Sequence, residues 1–471
     1  MIPRKSKAGS FSVLIRVWGI VLSLILLVAT WNASASQVSG WPVPYHDPSG
    51  TNAREGRGIL RDPSVLWRYT TVAEITAPIV TAFGQLVTGT RDGTILFLDV
   101  NTGEEIDRIS LGDAVWWIGV VGRDQDGDLR VVVLTRADES ASLTLLDGRR
   151  AEWEVQGIFL GSPTFATSLQ GSAKLVFGYV SDLDTLSKGL ALVDLASGRL
   201  DFLSNSTVPV TPPRLGDLDR DGLLEIASLD TSGRLTVIRE DGETPWARDL
   251  IRQVLQAPII ADFTCDGYQE ILVPLDRDPW LALPANLSLY DRFGALVWSR
   301  TYPSGEIQSV AAVPLQSTSC RDVAVSHEES GIQVLEGGTG NAIWTVSDGA
   351  LGILGVDLEG DGRSDVLAIR NSGATAFNGS IGDVLWELEF SDPDVRSAAL
   401  YGLPSNQVRV IFAGGNWILG VGSGSPSLDV LFTVIIGVLV AFSIAVATLV
   451  YWRWRIGRKG PPPLEDRNRK G

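Results

Sequence analysis

The sequence predicts an all-β protein: a seven-bladed β-propeller (range six to eight blades) with one C-terminal transmembrane helix. Two observations predict the propeller. The body of the chain lacks long helical periodicity, and short β-rich runs alternate along it with Asp-Gly or Ser-Gly pairs. Such pairs favour the positive φ angles of tight hairpins, which indicates antiparallel meanders. A third observation, the gathering of basic residues at both chain ends, predicts the membrane helix.

The composition excludes several classes of protein. The 471 residues carry 55 acidic and 39 basic side chains, and the formal charge of −16 argues against a nucleic-acid partner. Two cysteines exclude a disulfide-built scaffold and a four-cysteine zinc site. The two histidines, His46 and His327, are far apart, which excludes HExxH and three-histidine metal centres.

The charge is distributed unevenly along the chain. The two ends hold eleven basic residues against Glu465 and Asp466, so the middle has 39 − 11 = 28 positive and 55 − 2 = 53 negative side chains, a balance of −25. Basic ends around an acidic body indicate a membrane topology.

The N-terminus has the three-part layout of a secretory signal peptide. Residues 1–16 are basic and polar, Val17 to Ala29 are almost wholly apolar, and Ala33-Ser-Ala35 supplies a small-residue cleavage site. We therefore predict a signal peptide over 1–35 and an extracytoplasmic body over 36–427. An uncleaved membrane anchor is the alternative interpretation of the same segment.

The C-terminus predicts a single membrane span over 429–452. Val430 to Trp452 contains no charged residue and would be about 34 Å long as a helix. An aromatic and basic stretch follows, and the positive-inside rule places the tail, 453–471, in the cytoplasm. The predicted location is the cell membrane, with the acidic body outside.

The body repeats one unit seven times. Each copy has a strand, a turn, a second strand, a Gly-containing turn and often a tryptophan, as in "GIQVLEGGTGNAIWTV". Trp246, Trp298, Trp344 and Trp386 are spaced 52, 46 and 42 residues apart, the length of one four-stranded blade. A closed ring of such blades also removes the sheet edges that separate sheets would expose.

The repeated unit resembles the quinoprotein-like (PQQ-type) propeller repeat. The opening "WPVPYHDPSGTN", followed by Val65-Leu-Trp67-Arg-Tyr, resembles the lead-in of that family's noncatalytic members. In catalytic members a quinone cofactor lies between a tryptophan and two adjacent cysteines, with an active-site Ca²⁺. Here Cys265 and Cys320 are 55 residues apart, which disfavours that activity.

Three acidic loops resemble the FG-GAP/VCBS repeat of integrin α-chain propellers. They begin at Asp217, Asp262 and Asp357, and each has Gly at position 6 and a carboxylate at position 9. Side-chain oxygens at positions 1, 3, 5 and 9 and the carbonyl at position 7 would surround Ca²⁺, much as in the first part of an EF-hand loop. The alternative is that the acidic residues merely form turns and solvate hairpins.

The predicted Ca²⁺ has a structural role, as a link within the blade. Its predicted ligands are Asp217, Asp219, Asp221, Leu223 and Glu225 in the first loop, Asp262, Thr264, Asp266, Tyr268 and Glu270 in the second, and Asp357, Glu359, Asp361, Arg363 and Asp365 in the third. The third loop departs from the family pattern, because Glu359 stands where Asp or Asn is usual.

The two cysteines predict a disulfide. Cys265 is at position 4 of the second acidic loop, and Cys320 is at position 7 of a degenerate copy of that loop in the next blade, which ends at Asp322. Equivalent loops of successive blades are neighbours on one rim, and the compartment outside a membrane permits oxidation. Two separate buried thiols are the alternative.

These features predict a single-pass membrane protein that displays a calcium-stabilised propeller outside the membrane. We expect it to act as a binding, adhesion or scaffold module for an unknown extracellular protein or glycan, since no catalytic motif occurs. Two alternatives remain: a membrane-anchored quinoprotein-type oxidoreductase, and a propeller that assists membrane-protein assembly.

Overall fold

The structure is a computed structural model. It describes residues 47–423 except 48, 55–56, 139, 170, 182–187, 206–207, 231, 251–255, 280, 316–319 and 404–405. The predicted signal peptide, the predicted span over 429–452 and the predicted tail lie outside the described residues. Within the described part, no helix is both long enough and apolar enough to cross a bilayer. One compact unit extends through Gly422, and of the second unit, Ser423–Gly471, only Ser423 is described.

The described chain forms eight antiparallel sheets. After β1 (Pro63–Thr70), seven of them follow one another along the sequence. Blade 1 comprises β2 (Val80–Ala82), β3 (Gln85–Gly89), β4 (Thr94–Asp99) and β5 (Glu105–Ser110). Blade 2 comprises β6 (Ala114–Arg123), β7 (Leu129–Arg136), β8 (Ala141–Asp147) and β9 (Arg150–Gly157). Blade 3 comprises β10 (Phe159–Leu160), β11 (Thr164–Leu169), β12 (Ser172–Val180), β13 (Lys188–Asp194) and β14 (Leu200–Ser204).

The next four blades are regular four-stranded meanders. Blade 4 comprises β15 (Arg214–Gly216), β16 (Glu225–Leu229), β17 (Arg234–Ile238) and β18 (Trp246–Asp249). Blade 5 comprises β19 (Ile259–Ala261), β20 (Glu270–Leu275), β21 (Ala285–Tyr290) and β22 (Leu296–Tyr302). Blade 6 comprises β23 (Ile307–Val313), β24 (Asp322–His327), β25 (Gly331–Leu335) and β26 (Ala342–Val346). Blade 7 comprises β27 (Gly352–Val356), β28 (Asp365–Arg370), β29 (Gly373–Phe377) and β30 (Val384–Glu389).

An eighth blade joins the two ends of the ring. It comprises β31 (Ser397–Gly402), β32 (Val408–Ala413) and β33 (Trp417–Ser423), and β1 pairs with β33 as its fourth strand. The predicted propeller is therefore confirmed with eight blades instead of seven, inside the predicted range. The seven repeated units correspond to blades 1 to 7. In blade 8 the third and fourth strands lie at opposite ends of the chain, so no contiguous copy of the unit exists there.

The hydrophobic core lies between neighbouring blades. Val87 of blade 1 packs in one cluster with Val131 of blade 2, and Leu235 of blade 4 packs in another with Ile271 of blade 5. All four side chains are completely buried. Because each blade buries both of its faces against its neighbours, the second and third strands are nearly continuous apolar runs and do not alternate.

A tryptophan on the outer strand of most blades bonds to the next blade. In five cases its indole N–H donates to a backbone carbonyl in the following blade's turn. These bonds are Trp67 to Val100 (3.1 Å), Trp153 to Leu195 (3.0 Å), Trp246 to Arg292 (2.8 Å), Trp298 to Gly337 (2.7 Å) and Trp344 to Gly379 (2.7 Å). These tryptophans therefore link neighbouring blades.

The glycine of each turn has a second role beside the tryptophan. Gly103 has φ +71° and Gly340 has φ +69°, so both adopt the left-handed conformation that the turn requires. A Cβ atom at Gly103 would lie 2.4 Å from the ring of Trp67, and one at Gly340 would lie 2.7 Å from the ring of Trp298. The repeated glycine therefore permits both the hairpin turn and the close approach of the indole.

Candidate metal centre and central channel

The three acidic loops share one hydrogen-bonded frame. In each loop the carboxylate at position 1 accepts the N–H of the glycine at position 6, and the carboxylate at position 9 accepts the N–H of position 2. The first bond joins Asp217 to Gly222 (3.1 Å), Asp262 to Gly267 (3.0 Å) and Asp357 to Gly362 (2.8 Å), and the second joins Glu225 to Leu218, Glu270 to Phe263 and Asp365 to Leu358, each at 2.8 Å. These two hydrogen bonds therefore give the three loops the same shape.

Backbone conformation at positions 4 and 6 makes this frame possible. Position 4 is Arg220, Cys265 or Gly360, with φ of 64°, 63° and 82° respectively. The glycine at position 6 has φ of 87° or 88° in all three loops. Two left-handed residues in each loop reverse the chain sharply, which directs the carboxylates of positions 1 and 9 toward each other.

The first loop brings three predicted ligands together. One carboxylate oxygen from each of Asp217, Asp219 and Glu225 lies within 4.8 Å of the other two. Asp217 Oδ1 and Glu225 Oε1 are buried and accept no hydrogen bond from any described residue. A buried oxygen without a donor is costly. The geometry therefore provides unsatisfied acceptors in the place where a cation would lie.

Glu225, at position 9 of this loop, has a raised pKa. Burial, followed by the charges of Asp219, Asp221 and Asp217, raises its pKa to about 7, against the opposing hydrogen bond from Leu218. The Glu225 side chain is 4% exposed. Without a cation, the ionised form is thus penalised at neutral pH, and a divalent ion would remove that penalty.

A guanidinium group borders the same loop. Arg239 Nη2 lies 3.5 Å from Asp219 Oδ2, and Arg239 Nε lies 4.0 Å from Glu225 Oε1. The Arg239 side chain is 43% exposed and also reaches Glu243 at 3.9 Å. Arg239 therefore supplies part of the positive charge that balances the loop, and a metal would share the acidic side chains with it.

The remaining predicted ligands of the first loop lie at its surface. Asp221 is exposed and its Oδ1 accepts the N–H of Leu223 at 2.8 Å. Leu223, which was predicted to contribute its carbonyl, has a side chain that is 52% exposed. An open cavity of about 300 Å³ adjoins this side of the loop, lined by Leu223, Glu225 and Arg239 among others. Water therefore has access to the loop, as a partly hydrated Ca²⁺ site requires.

The second loop is partly satisfied by its own residues. Asp262, Asp266 and Glu270 each place an oxygen within 4.8 Å of the other two, and Asp262 Oδ1 is buried without a donor among the described residues. However, the Thr264 hydroxyl donates to Glu270 Oε1 at 3.0 Å. Thr264 thus acts as a partner of Glu270 in this structure. Tyr268, at position 7, has its ring under the guanidinium of Arg292, 3.4 Å from the ring centroid.

The third loop does not bring its predicted ligands together. Asp357 Oδ1 accepts the N–H of Gly360 at 2.6 Å, and Asp365 Oδ1 accepts the N–H of Gly379 at 3.1 Å, so the oxygens that are free in the first loop are occupied here. Glu359 bonds outward to the amide of Asn378 at 2.6 Å. Among the described residues, only the first two loops form three-acid clusters. Asp361 and Arg363, the other two predicted ligands, are exposed.

The N-terminal region covers the third loop. The Leu60 N–H donates to the Leu358 carbonyl at 2.9 Å, and Arg61 donates to the Glu359 carbonyl at 3.3 Å. The charge of Asp357 also acts on Arg54, opposing the lowering of the Arg54 pKa by burial. The third loop therefore binds the N-terminal region of the chain through its backbone carbonyls.

The same N-terminal region lies in the central channel. We call residues 49–54 and 57–60 the channel segment. It bonds to strands of five blades: Ser49 Oγ to Leu215 O (2.8 Å), Ile260 N to Ser49 O (3.0 Å), Ala312 N to Thr51 O (2.8 Å), Gly355 N to Asn52 O (2.9 Å) and Val408 N to Ile59 O (3.1 Å). A segment this short spans at most about 40 Å, so these strands converge around one axis.

The channel does not fit the quinone that the first resemblance implies. The channel segment occupies the inner edges of blades 4 to 7 and contacts blade 8, where the Arg54 guanidinium packs against Gly402. Gly50 and Ala53 are buried there. Cys265 and Cys320 do not form an adjacent pair, because the structure joins them to each other, with a Cα–Cα distance of 5.0 Å. We therefore derive no chemical step through a quinone.

The disulfide lies beside the second acidic loop and links blades 5 and 6. The Arg321 N–H also donates to the Asp262 carbonyl at 2.8 Å, so a backbone bond accompanies the covalent one. Asp322, the last residue of the degenerate loop, accepts the N–H of Gly337 at 3.2 Å. Blade 6 thus has a disulfide at the place where blades 4 and 5 have acidic clusters.

Comparison with solved structures gives the same fold. The structure is similar to a quinohemoprotein alcohol dehydrogenase from Pseudomonas putida HK5, with TM-score 0.60, 11% identity and coverage of 82% of this chain and 81% of that chain. It is also similar to a quinohemoprotein alcohol dehydrogenase from Comamonas testosteroni (0.56, 12%, 84% and 82%) and to a europium-containing methanol dehydrogenase (0.55, 11%, 81% and 91%). At such identities the likeness is one of fold alone.

Sequence comparison gives one short match. A stretch of 69 residues is 33% identical to the KICSTOR complex protein ITFG2 of Mus musculus, which is 15% of this chain and 15% of the mouse protein. No family model matches the sequence. The established result is therefore an eight-bladed propeller with a fold that resembles the quinoprotein dehydrogenases.

Proposed function

We propose that the protein is a binding or scaffold module: a propeller, stabilised by Ca²⁺ and displayed outside a membrane on a single span, whose loops hold a partner. The observation that carries this proposal is the channel segment. In this structure the channel segment bonds along the inner strands of blades 4 to 7, inside the ring, where the resemblance to quinoproteins would place a cofactor. The name of the mouse protein, which refers to a complex, supports a binding role.

Photo-crosslinking on intact cells tests this proposal. A photoreactive residue at Phe293 (69% exposed) samples the rim that holds the acidic loops, one at Leu281 (54%) samples the opposite rim, and one at Val384 (54%) on the outer strand β30 serves as the control. We expect a discrete adduct from one rim and none from β30. Adducts from neither rim, or quinone-dependent dye reduction by the purified protein, would contradict the binding role.

The membrane topology leads to a protease-protection prediction. If the body lies outside, protease added to intact cells should degrade residues 36–427 and leave the last 19 residues, 453–471, intact. An epitope tag at the C-terminus and an antibody against the body measure the two parts separately. Lysed cells provide the control in which both parts are degraded. A body that resists protease until lysis would contradict the surface location.

Calcium removal is expected to destabilise the protein. A ligand that binds only the folded state contributes about 2.7 kcal/mol at a hundredfold excess over its Kd. Chelation should therefore lower the melting temperature of the full-length protein, measured by calorimetry, and Ca²⁺ should restore it. Asp221→Ala should reduce this response, because Asp221 belongs to the first loop.

The third loop supplies the matched control for the calcium experiment. Asp361 has the same loop position as Asp221 and is also exposed, but in its loop the second oxygens of the carboxylates at positions 1 and 9 both accept hydrogen bonds. Asp361→Ala should keep the full response to chelator. Arg130→Ala should also keep it, because Arg130 lies on β7 of blade 2, outside the three loops, and pairs with Glu152 and Asp147. Melting that ignores the chelator would mean that Arg239 alone balances the first loop, and the metal assignment would be wrong.

A further inference from the structure

Trp116 is the exception among the described tryptophans. It is 42% exposed, whereas its neighbour Trp117 is 4% exposed and packs against Gly119. Both residues lie on β6, the first strand of blade 2. Packing between blades therefore does not account for the exposed part of the Trp116 indole.

Trp116 lines a small pocket at the rim opposite the acidic loops. The pocket has a volume of about 190 Å³ and lies where blades 8, 1 and 2 meet. Its walls come from the β1–β2 connection, the β3–β4 turn, β6 and the start of β31, and include Glu74, Thr76, Arg91, Trp116, Arg396 and Ser397. Typical drug-sized sites begin at about 300 Å³, so this pocket suits one small ring.

Ion pairs fix the polar wall of the pocket. Glu74 is held between two arginines: Arg91 Nη2 lies 2.7 Å from Glu74 Oε2, and Arg396 Nη1 contacts Glu74 Oε1. Arg396 also pairs with Asp394 at 2.7 Å. The Arg91 N–H donates to the Glu74 carbonyl at 2.8 Å, which ties the backbone of the same two residues together. The polar groups are therefore positioned before any ligand arrives.

The charges of this wall nearly cancel. Arg91, Arg396 and Glu74 line the pocket, and Asp394, which lies outside the lining, offsets the second guanidinium by pairing with Arg396. Each group keeps capacity beyond its ion pairs, since a guanidinium has five N–H donors and a carboxylate accepts about four hydrogen bonds. A free anion would gain from Arg91 and Arg396 but would meet the charge of Glu74. Adjacent donors and acceptors suit a ligand whose groups both donate and accept, which is the property of vicinal hydroxyls.

The indole supplies the apolar complement. One face of a sugar ring carries only C–H groups, whose partial positive charge matches the negative face of an aromatic ring. The guanidinium of Arg136 lies over the Trp116 ring, 5.5 Å from its centroid, and its Nη2 bonds to the Leu160 carbonyl at 3.2 Å. This contact limits the motion of Trp116 at the pocket edge.

We propose that this pocket binds a single uncharged sugar unit of a glycan, with the ring stacked on Trp116 and its hydroxyls bonded to Glu74, Arg91 and Arg396. This proposal rests on the proposed function as a binding module and specifies the ligand. It places glycan recognition on the rim opposite the acidic loops, so sugar binding does not require the calcium site.

Saturation-transfer NMR on the full-length protein tests the proposal. The probes are the methyl glycosides of glucose, mannose and galactose, together with N-acetylglucosamine, and sodium glutamate and inorganic phosphate represent anions. We expect saturation transfer to the ring protons of at least one sugar. Trp116→Ala should weaken binding about tenfold or more, and Trp116→Phe should retain part of it. Arg91→Gln should weaken binding without changing the melting temperature.

Phe293→Ala is the matched control, since it removes an exposed aromatic ring from the other rim. It should bind sugar like the unmodified protein. The proposal is wrong if no sugar of the panel receives saturation, if Trp116→Ala binds as well as the unmodified protein, or if glutamate or phosphate binds in place of sugar. A rim adduct in the crosslinking experiment together with silent NMR spectra would reject the sugar site and leave the binding module standing.

Discussion

Replacing Trp67 with alanine is expected to lower the free energy of unfolding by about 3–5 kcal/mol, as for other buried aromatic side chains. Trp67 is 8% exposed, donates its indole N–H to the Val100 carbonyl at 3.1 Å, and packs against Gly103 and Gly420. It lies on β1, the strand that closes the ring, so its loss weakens the junction between blade 8 and blade 1. Urea unfolding followed by circular dichroism measures the effect.

A substitution two residues away provides the control for Trp67. Val65 lies on the same strand but is 44% exposed, so Val65→Ala should change the free energy of unfolding by less than about 0.5 kcal/mol. Gly103→Ala approaches the junction from the other side. Its Cβ would lie 2.4 Å from the ring of Trp67 at φ +71°, and it should destabilise the ring as well. Equal stability of Trp67→Ala and Val65→Ala would contradict this role of Trp67.

Blade architecture could be predicted from the sequence because it depends on local chemistry. Turn glycines, apolar second and third strands and outer tryptophans lie within one contiguous unit, and seven such units are visible. The eighth could not be counted in this way, because β1 and β33 are separated by the whole ring. The signal was nevertheless present: Val65-Leu-Trp67 has the same pattern as the outer strands that contain Trp298 and Trp344.

The acidic loops show where local sequence is insufficient. The three loops share acidic residues at positions 1, 5 and 9 and glycine at position 6, and all three form the same hydrogen-bonded frame. The loops differ in the hydrogen bonding of the second oxygen of the carboxylates at positions 1 and 9. In the third loop, the N–H groups of Gly360 and Gly379 donate to these oxygens. In the second loop, the Thr264 hydroxyl donates to one of them. In the first loop, neither oxygen accepts a hydrogen bond from a described residue. Those donors depend on tertiary contacts that no spacing within nine residues reveals.

The channel segment and the Trp116 pocket also depend on distant contacts. The "DPSGTN" string was visible only as part of a family lead-in, and its bonds reach strands more than 150 residues away, such as that of Leu215. For Trp116, the strand pattern around Trp116 and Trp117 does not indicate which of the two side chains faces outward. The structure separates them by exposure, 42% against 4%.

Loss of the Cys265–Cys320 disulfide is expected to lower the free energy of unfolding by about 4 kcal/mol in the chain-entropy model, because the two bonded cysteines are 55 residues apart in the sequence. Non-reducing peptide mapping of the full-length protein should recover the two cysteines as one linked peptide pair. Cys265→Ser and Cys320→Ser should each lower the melting temperature by a similar amount, and the double variant should be no worse than either, since one bond is lost in every case.

The first loop supplies a control that separates the crosslink from the loop conformation. Arg220 has the same position as Cys265 and nearly the same φ, 64° against 63°, but it forms no covalent bond. Arg220→Ser therefore tests the same backbone conformation without loss of a crosslink. It removes only the contacts of the Arg220 guanidinium with Gly267 and with the Tyr268 ring, 5.5 Å from its centroid, so it should destabilise the protein less than Cys265→Ser. If Cys265→Ser and Arg220→Ser had equal small effects, or if both thiols were recovered free, the link between blades 5 and 6 would rest on backbone bonds such as that of Arg321 to Asp262 alone. A large difference between the two variants would instead assign the stability of this junction to the disulfide, which fits a blade whose own loop has no acidic cluster.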